Sequence, residues 1–285
     1  MRDRGRLKKV SPDLKKFIIR DSFTMYETLL YETHDAIATI TLNRPDVGNA
    51  FSKDSYREVR AALESASGDP SVRTVVLTGT GKHFSAGGDI KRFKNLINSG
   101  EFLSTENVVA AGKMAVAVRT CAKPVVAMIN GAAAGAGASL ALACDFRFMT
   151  PKSKLVMSFI KMGLPGDTGG LYALQRMVGA AKALELMMTG APVSGEQAFA
   201  LGLTTRLTEE DRLSEDTYSF AGELAAMPTR AFAEQKRLLF ETFYSSLADY
   251  TEREAAAMAA CSRTADFAEA VEAFLEKRTP QFSGK

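Results

Sequence analysis

Lys123-Pro124-Val125-Val126-Ala127-Met128-Ile129-Asn130-Gly131-Ala132-Ala133-Ala134-Gly135-Ala136-Gly137-Ala138-Ser139 decides the fold. Residues 123–129 form a short apolar run of the kind buried on both faces of a parallel sheet. Asn130-Gly131 stops the strand, a loop of glycines and alanines follows, and a helix then ends near Ala143. A buried strand that opens through small residues into a helix is the building unit of an α/β protein. It also points the unpaired N–H groups of the helix at whatever lies in front of the loop.

The same arrangement recurs on both sides of this stretch, without a fixed period. Upstream, residues 74–77 are a short apolar strand followed by Gly79 and Gly81. The loop His83-Phe84-Ser85-Ala86-Gly87-Gly88-Asp89 then enters helices at about 90–98 and 105–120. Downstream, residues 145–148 and 154–157 read as short strands, and Gly163-Leu164-Pro165-Gly166-Asp167-Thr168-Gly169-Gly170 leads into a helix ending near Gly179. At the front, strands at 26–32 and 36–42 flank a turn at His34-Asp35. Asn43-Arg44-Pro45-Asp46 breaks the chain. Residues 53–66 read as an amphipathic helix with Tyr56, Val59 and Leu63 on one face. From Ala180 onward the periodicity is helical, near 181–189, 194–201, 210–226, 229–246, 250–260 and 264–277. Ser194 reads as an N-cap, with Gln197 three residues on completing a capping box. The predicted organisation is an α/β core over residues 25–200 and a helical region over 201–285.

The chain has 285 residues, 46% hydrophobic and 24% charged, which is the composition of an ordinary globular protein with a sizeable core. No apolar run approaches the roughly 20 residues a membrane-spanning helix needs. The net charge of +3 hides an asymmetry. Residues 1–20 carry eight basic side chains against Asp3 and Asp13, which leaves the remainder near −3. Residues 1–24 therefore read as a basic leader, disordered or added ahead of a start at Met25, with a nucleic-acid or membrane-contacting arm as the other reading. It lacks the apolar segment of a secretory signal. The body does not carry the basic surface a nucleic acid requires. Cys121, Cys144 and Cys261 have no metal-ligand spacing, and their odd number argues against a disulfide framework. They read as small buried hydrophobes in a reducing compartment, the cytoplasm.

Three loops place small residues before helices: Ser85-Ala86-Gly87-Gly88, Gly135-Ala136-Gly137 and Gly166-Asp167-Thr168-Gly169-Gly170. None has nucleotide-binding spacing, neither Gly-x-x-x-x-Gly-Lys-Ser/Thr nor Gly-x-Gly-x-x-Gly. Each admits a packing role and an anion- or oxyanion-binding role. His83, Ser85 and Asp89 make the first loop polar as well as small. Asp167 in the third suits either an N-cap or acid/base chemistry. His83 reads as a surface or packing residue, because no nucleophile-elbow motif accompanies it.

These segments resemble the crotonase superfamily of enoyl-CoA hydratases and isomerases over residues 26–285. Leu42-Asn43-Arg44-Pro45 with Asn49-Ala50 resembles its early signature. Phe84-Ser85-Ala86-Gly87-Gly88-Asp89-Ile90 resembles the first oxyanion loop. Asn130-Gly131 through Gly137, with Leu140-Ala141-Leu142-Ala143-Cys144-Asp145, resembles the second. Phe274-Leu275-Glu276-Lys277-Arg278-Thr279-Pro280-Gln281-Phe282 resembles the closing signature. Within the superfamily the likeness is to the branch of isomerases acting on ring-epoxidised phenylacetyl-CoA.

The resemblance implies a spiral of ββα units followed by a C-terminal helical trimerisation region, assembled as a homotrimer or a dimer of trimers. It implies an acyl-CoA thioester substrate, with no cofactor beyond the coenzyme A the substrate carries. The N–H groups of Ala86 and Ala136 would form an oxyanion hole. Ala50, Ala86, Gly87, Gly88, Asp89, Ile90, Gly135 and Ala136 would line the substrate and coenzyme A site. Ser139 and Phe159 stand where hydratases of the family carry glutamates, which leaves Asp167 as the acid/base of an isomerase, with Phe159 and Leu164 furnishing apolar surroundings. The alternatives are a hydratase using water held by Asp167, nucleophilic attack by Asp167 on an aryl-CoA, and a catalytically silent acyl-CoA binder or RNA-associated relative.

Overall fold

The computed structural model describes residues 26–285; the basic segment 1–24 lies outside them. Strands β1 (Leu29–His34) and β2 (Ile37–Leu42) form an antiparallel hairpin. Its two-residue turn falls on Asp35 and Ala36, both at positive φ (47° and 62°), one residue later than the sequence suggested. Two left-handed residues in succession match the twist of a tight hairpin. Helix α1 (Lys53–Gly68) begins at a capping box between Ser52 and Ser55 and buries Tyr56, Val59 and Leu63, the face read from its periodicity.

The next three turns of chain share one plan. Strands β3 (Thr74–Gly79), β5 (Val125–Ile129) and β7 (Phe146–Met149) lie side by side in a large sheet. Each is followed by a three-residue strand, β4 (His83–Ser85), β6 (Ala132–Ala134) or β8 (Lys154–Val156), in a second, smaller sheet. The pairings β3–β5, β5–β7, β4–β6 and β6–β8 are all parallel. Helices close the turns: α2 (Ile90–Asn98) and α3 (Thr105–Thr120), then α4 (Ala136–Ala143), then α5 (Gly170–Thr189). α5 is broken at Gly179 (φ 77°, ψ 162°), which accounts for two helical stretches in the sequence pattern. This is a mixed α/β spiral of ββα units.

Two sequence expectations need correction. Residues 83–85 and 132–134, read as loop, are strands; pairing between successive turns makes them so, and their sequences carry no alternation. Helix is also not continuous after Ala180. Strand β9 (Pro192–Ser194) joins the small sheet before α6 (Gly195–Ala200), and β10 (Arg206–Leu207) joins the large one. Two or three residues are too few for a period to register. Ser194 does cap α6, its hydroxyl accepting from Gln197 N–H at 3.2 Å while Gln197 Oε1 accepts from Ser194 N–H at 2.9 Å. Helices α7 (Leu213–Ala226), α8 (Thr229–Phe243), α9 (Leu247–Cys261) and α10 (Ala265–Glu276) complete the fold.

The two sheets meet closely where β5 hands over to β6. A Cβ on Gly131 would lie 1.9 Å from the Lys82 carbonyl oxygen. Backbone cannot yield as a flexible side chain does, so Gly131→Ala is expected to destabilise the protein by about 1–3 kcal/mol or more. Denaturant unfolding measures it, and an unchanged midpoint would show that the spiral relaxes there freely.

Candidate active site

Three loops at one end of the small sheet build the site. The first leaves β4 at Ser85, whose buried hydroxyl donates to the Asn49 carbonyl (2.8 Å) and accepts from Gly87 N–H (3.2 Å). Phe51 N–H donates to the Gly87 carbonyl at 2.7 Å. Asn49, at φ 57°, donates from Nδ2 to the carbonyls of Thr80 and His83. Asp89 caps α2 by accepting from Lys91 N–H (3.1 Å) and Arg92 N–H (3.4 Å). Its other oxygen accepts from Arg44 Nη2 at 2.9 Å, and Arg44 Nη1 reaches the Ala50 carbonyl. The early signature Asn43-Arg44-Pro45…Asn49-Ala50 is thus the clamp that shapes this loop.

The second loop turns at Gly135 (φ 50°, ψ −124°), where α4 begins at Ala136. As the first helical residue, Ala136 has its N–H outside the helical ladder, and among the described residues no acceptor is bonded to it. The helix dipole adds partial positive charge there. Gly87 packs directly against this turn: a Cβ on it would lie 2.7 Å from the Ala134 carbonyl oxygen and 3.4 Å from the Ala136 nitrogen, at φ 89°. Only glycine admits that approach. The Ala86 N–H is less accessible than the sequence reading supposed, because it donates to the Gly48 carbonyl at 2.8 Å.

The third loop holds Gly166, Thr168 and Gly169 at positive φ (119°, 59° and 67°). It presents Asp167, which is 6% exposed. The capping reading fails here: Gly169 is the N-cap of α5, and the Asp167 side chain accepts instead from Thr168 Oγ1 at 2.8 Å. Burial pushes the Asp167 carboxyl up to about 6, opposed by the Thr168 hydrogen bond and the positive charge of Arg92. Tyr56 is pushed well above its ordinary value by burial and by the Asp167 charge, with Arg92 again opposing.

Asp167, Ala86, Gly88, Ile90, Gly135 and Ala136 line one cavity of about 60 Å³. Phe159 and Leu164 supply apolar wall beside Asp167, and Tyr56, Arg92 and Asn107 supply polar groups the sequence did not single out. Tyr56 reaches the cavity from the buried face of α1 that its periodicity predicts. The cavity shares Ala86, Gly88 and Ile90 with an outer groove of about 540 Å³, lined also by Ala50, Asp89 and the C-terminal Phe274, Arg278 and Phe282. A small chamber sharing a wall with a larger groove suits a ligand with a small reacting end and a bulkier carrier. Gly87 lines neither space and serves the approach of the two loops. His83 is exposed and lines neither. Cys121 and Cys144 are buried and Cys261 partly so, all away from both spaces.

Ser139 and Phe159 occupy different surroundings. The Ser139 hydroxyl is fully buried, has no hydrogen-bond partner among the described residues, and lies 2.3 Å from where a Cβ on Gly170 would stand. Phe159 faces the cavity. Neither position offers a carboxylate. Glu254 of α9 approaches from the helical region instead, accepting from Gly169 N–H at 2.8 Å. A glutamate in the buried stripe Thr251, Glu254, Ala255, Met258 was the sequence signal for it.

A spiral of parallel ββα turns with a helix-start amide and a buried carboxyl on one cavity defines a crotonase-type acyl-transforming fold. The sequence profile of the enoyl-CoA hydratase/isomerase family matches residues 32–285, and the chain belongs to that family. It is 33% identical over 265 residues to the 1,2-epoxyphenylacetyl-CoA isomerase of Escherichia coli, covering 92% of this chain and 100% of the relative. It is 35% identical over 262 residues to a probable enoyl-CoA hydratase of Rhodobacter capsulatus, covering 91% and 99%. Among solved structures, an enoyl-CoA hydratase from Mycobacterium avium subsp. paratuberculosis superposes with a TM-score of 0.82 at 28% identity, covering 90% of this chain and 98% of that one.

Proposed function

We infer that the protein is an isomerase that moves a carbon–carbon double bond along an acyl-CoA chain, with Asp167 as the single acid/base. The observation that carries this is one buried carboxyl lining the same cavity as the free Ala136 amide, while Ser139 and Phe159 leave no second carboxylate for activating water. Asp167 takes a proton next to the unsaturated carbon pair, electrons flow into the thioester oxygen, and the same carboxyl returns the proton at the far carbon. The enolate oxygen receives the Ala136 N–H at the start of α4. Ala86 exchanges the Gly48 carbonyl for that oxygen as substrate seats. Preorganised donors of this type each account for about 10²–10³ in rate. Coenzyme A lies along the outer groove against Ala50, Gly88, Asp89 and Ile90. No further cofactor enters the scheme, since the chain supplies base, acid and donors.

A hydratase reading rests on the family's mixed membership, and water addition to crotonyl-CoA measured beside migration of a 3-enoyl-CoA separates the two. The test that requires no net turnover is incubation with acyl-CoA esters in deuterated water. Deuterium is expected at the carbon next to the carbonyl and at the far end of the migrating pair. No exchange with any ester would remove the enolate.

Arg92 gives an independent check. Its charge lowers the Asp167 pKa, so Arg92→Leu raises it. A base works only when ionised, so the acid limb of kcat/KM, near 6 in the wild type, is expected to move upward. The activity ratio between pH 6 and pH 7.5 then falls in the variant, whatever constant factor weaker binding adds. A limb at the same pH would separate Arg92 from the base.

Assembly as a trimer or dimer of trimers follows from the same reading, with Leu238, Leu239 and Phe243 of α8 as exposed apolar surface for it; sedimentation measures it. Among the described residues no helix is long and apolar enough to cross a membrane. The odd number of cysteines, with no metal-ligand spacing, is what supports a reducing compartment, and there we propose the cytoplasm.

A further inference from the structure

Glu254 is the one acidic side chain in the buried stripe of α9. It is 9% exposed and, among the described residues, forms no ion pair. A buried carboxyl without a cation costs stability, so its presence calls for a role. Its Oε2 accepts from Gly169 N–H at 2.8 Å, two residues from Asp167. That hydrogen bond falls on the strained part of the loop, where Thr168 and Gly169 are both left-handed (φ 59° and 67°). A non-glycine residue such as Thr168 holds that conformation only when its surroundings impose it. The loop also packs on α9 itself: a Cβ on Gly169 would lie 2.9 Å from Leu247 Cδ1. Met258, one turn beyond Glu254, lines the inner cavity.

We propose that Glu254 is a positioning residue for the Asp167 base: its carboxyl, anchored on Gly169 N–H, holds the left-handed turn that aims the Asp167 carboxyl into the cavity. The inference rests on Asp167 being the base. The groups that face Glu254 are few. Asp167 approaches from the loop, and Tyr250 stands one turn earlier on α9, pushed up to about 12 by burial and by Glu254, with Arg176 of α5 opposing. From α3, Gly112 packs on Thr251, while Lys113 lies with Glu252 at an outer surface pocket. Burial pushes Glu254 up to about 8, opposed by the Gly169 N–H hydrogen bond and helped by the Asp167 charge. Between about 6 and 8 the pair therefore carries one negative charge, on Asp167, and one proton, on Glu254. Above that range both ionise, and two like charges bear on one turn of backbone.

The expected pH profile of kcat/KM is a bell with its alkaline limb near 8. Glu254→Gln keeps the acceptor oxygen and the volume and cannot ionise. It is expected to keep near wild-type kcat at neutral pH and to lose the alkaline limb. Glu254→Ala removes the anchor and is expected to lower kcat by about 10²-fold, the scale of a small misplacement of a reacting group, with KM nearly unchanged. Recovery of kcat in Glu254→Gln distinguishes positioning from bulk packing, and thermal unfolding of both variants reports whether the alanine variant is folded. A wild-type alkaline limb in Glu254→Gln, or wild-type kcat in Glu254→Ala, overturns the inference. Asp167→Asn is assayed alongside. If it is inactive while Glu254→Gln keeps the limb, only the role of Glu254 fails; if it is active, the base assignment fails first.

Discussion

Asp167→Asn is expected to lower double-bond migration on a 3-enoyl-CoA by about 10²–10⁴-fold, the usual contribution of a positioned acid/base group. Asparagine keeps the shape and keeps an oxygen for the Thr168 hydroxyl, which donates at 2.8 Å to Asp167 Oδ1. The loop therefore has no geometric reason to move. What disappears is proton affinity in the working range, where burial has set the carboxyl near 6. Affinity for acyl-CoA esters is expected to stay close to wild type, since the outer groove is lined by other residues. Single-turnover assays and ester binding by calorimetry measure the two separately. Turnover within about tenfold of wild type, well short of that loss, would mean that another group moves the proton.

The same substitution is expected to stabilise the fold, and the sign follows from linkage. The folded-state pKa of Asp167 is raised from 3.8 to about 6. The unfolded chain thus releases its proton at lower pH than the folded protein does. The stability contributed by this group is complete below about 3.8 and is lost as pH climbs through about 6. At pH 8 the buried charge costs up to about 3 kcal/mol, which a neutral asparagine removes. Thermal unfolding of wild type and variant should diverge as pH rises from about 4 to about 6, with the variant higher and the gap then holding to pH 8. An active site that gains stability by losing its base is one that trades stability for reactivity.

The large sheet was legible because its strands are apolar runs ended by Asn-Gly or Gly, as in residues 125–131. The small sheet was not, because Ala132-Ala133-Ala134 and His83-Phe84-Ser85 owe their strand character to each other. Within the site, residue type revealed the glycines and Asp167 but not their use. Nothing local shows that the Ala86 N–H is spent on Gly48 while the Ala136 N–H is not; that depends on where the 45–50 segment folds back. Arg92 and Asn107 looked like ordinary helix residues, since helical phase alone cannot tell a cavity from a surface. Glu254 was legible in principle, as a charge at a buried helical phase, yet only the tertiary approach of α9 to residues 166–169 gives it meaning.

The difference between the two amides makes the second large effect testable. Ala136 is the first residue of α4, a position where proline is tolerated because its missing N–H has no intrahelical partner. Proline clashes with the N–H and Cβ of the residue before it when that residue is in the α region; Gly135 has no Cβ and lies outside that region (φ 50°, ψ −124°). Ala136→Pro is therefore expected to leave the helix standing, to remove the free donor, and to place ring carbon where the thioester oxygen would sit. Loss of turnover by at least about 10²–10³-fold is expected, with the free coenzyme A carrier still bound. Ala136→Gly, which keeps the amide, is the control and should retain most activity. Ala86→Pro should behave differently, since it breaks the bond to the Gly48 carbonyl and so destabilises the clamp around Asn49 as well. Equal loss of melting temperature in the two proline variants would show that the Ala136 amide is not the free one, and turnover in Ala136→Pro near that of Ala136→Gly would show that the enolate charge is met by some group other than the start of α4.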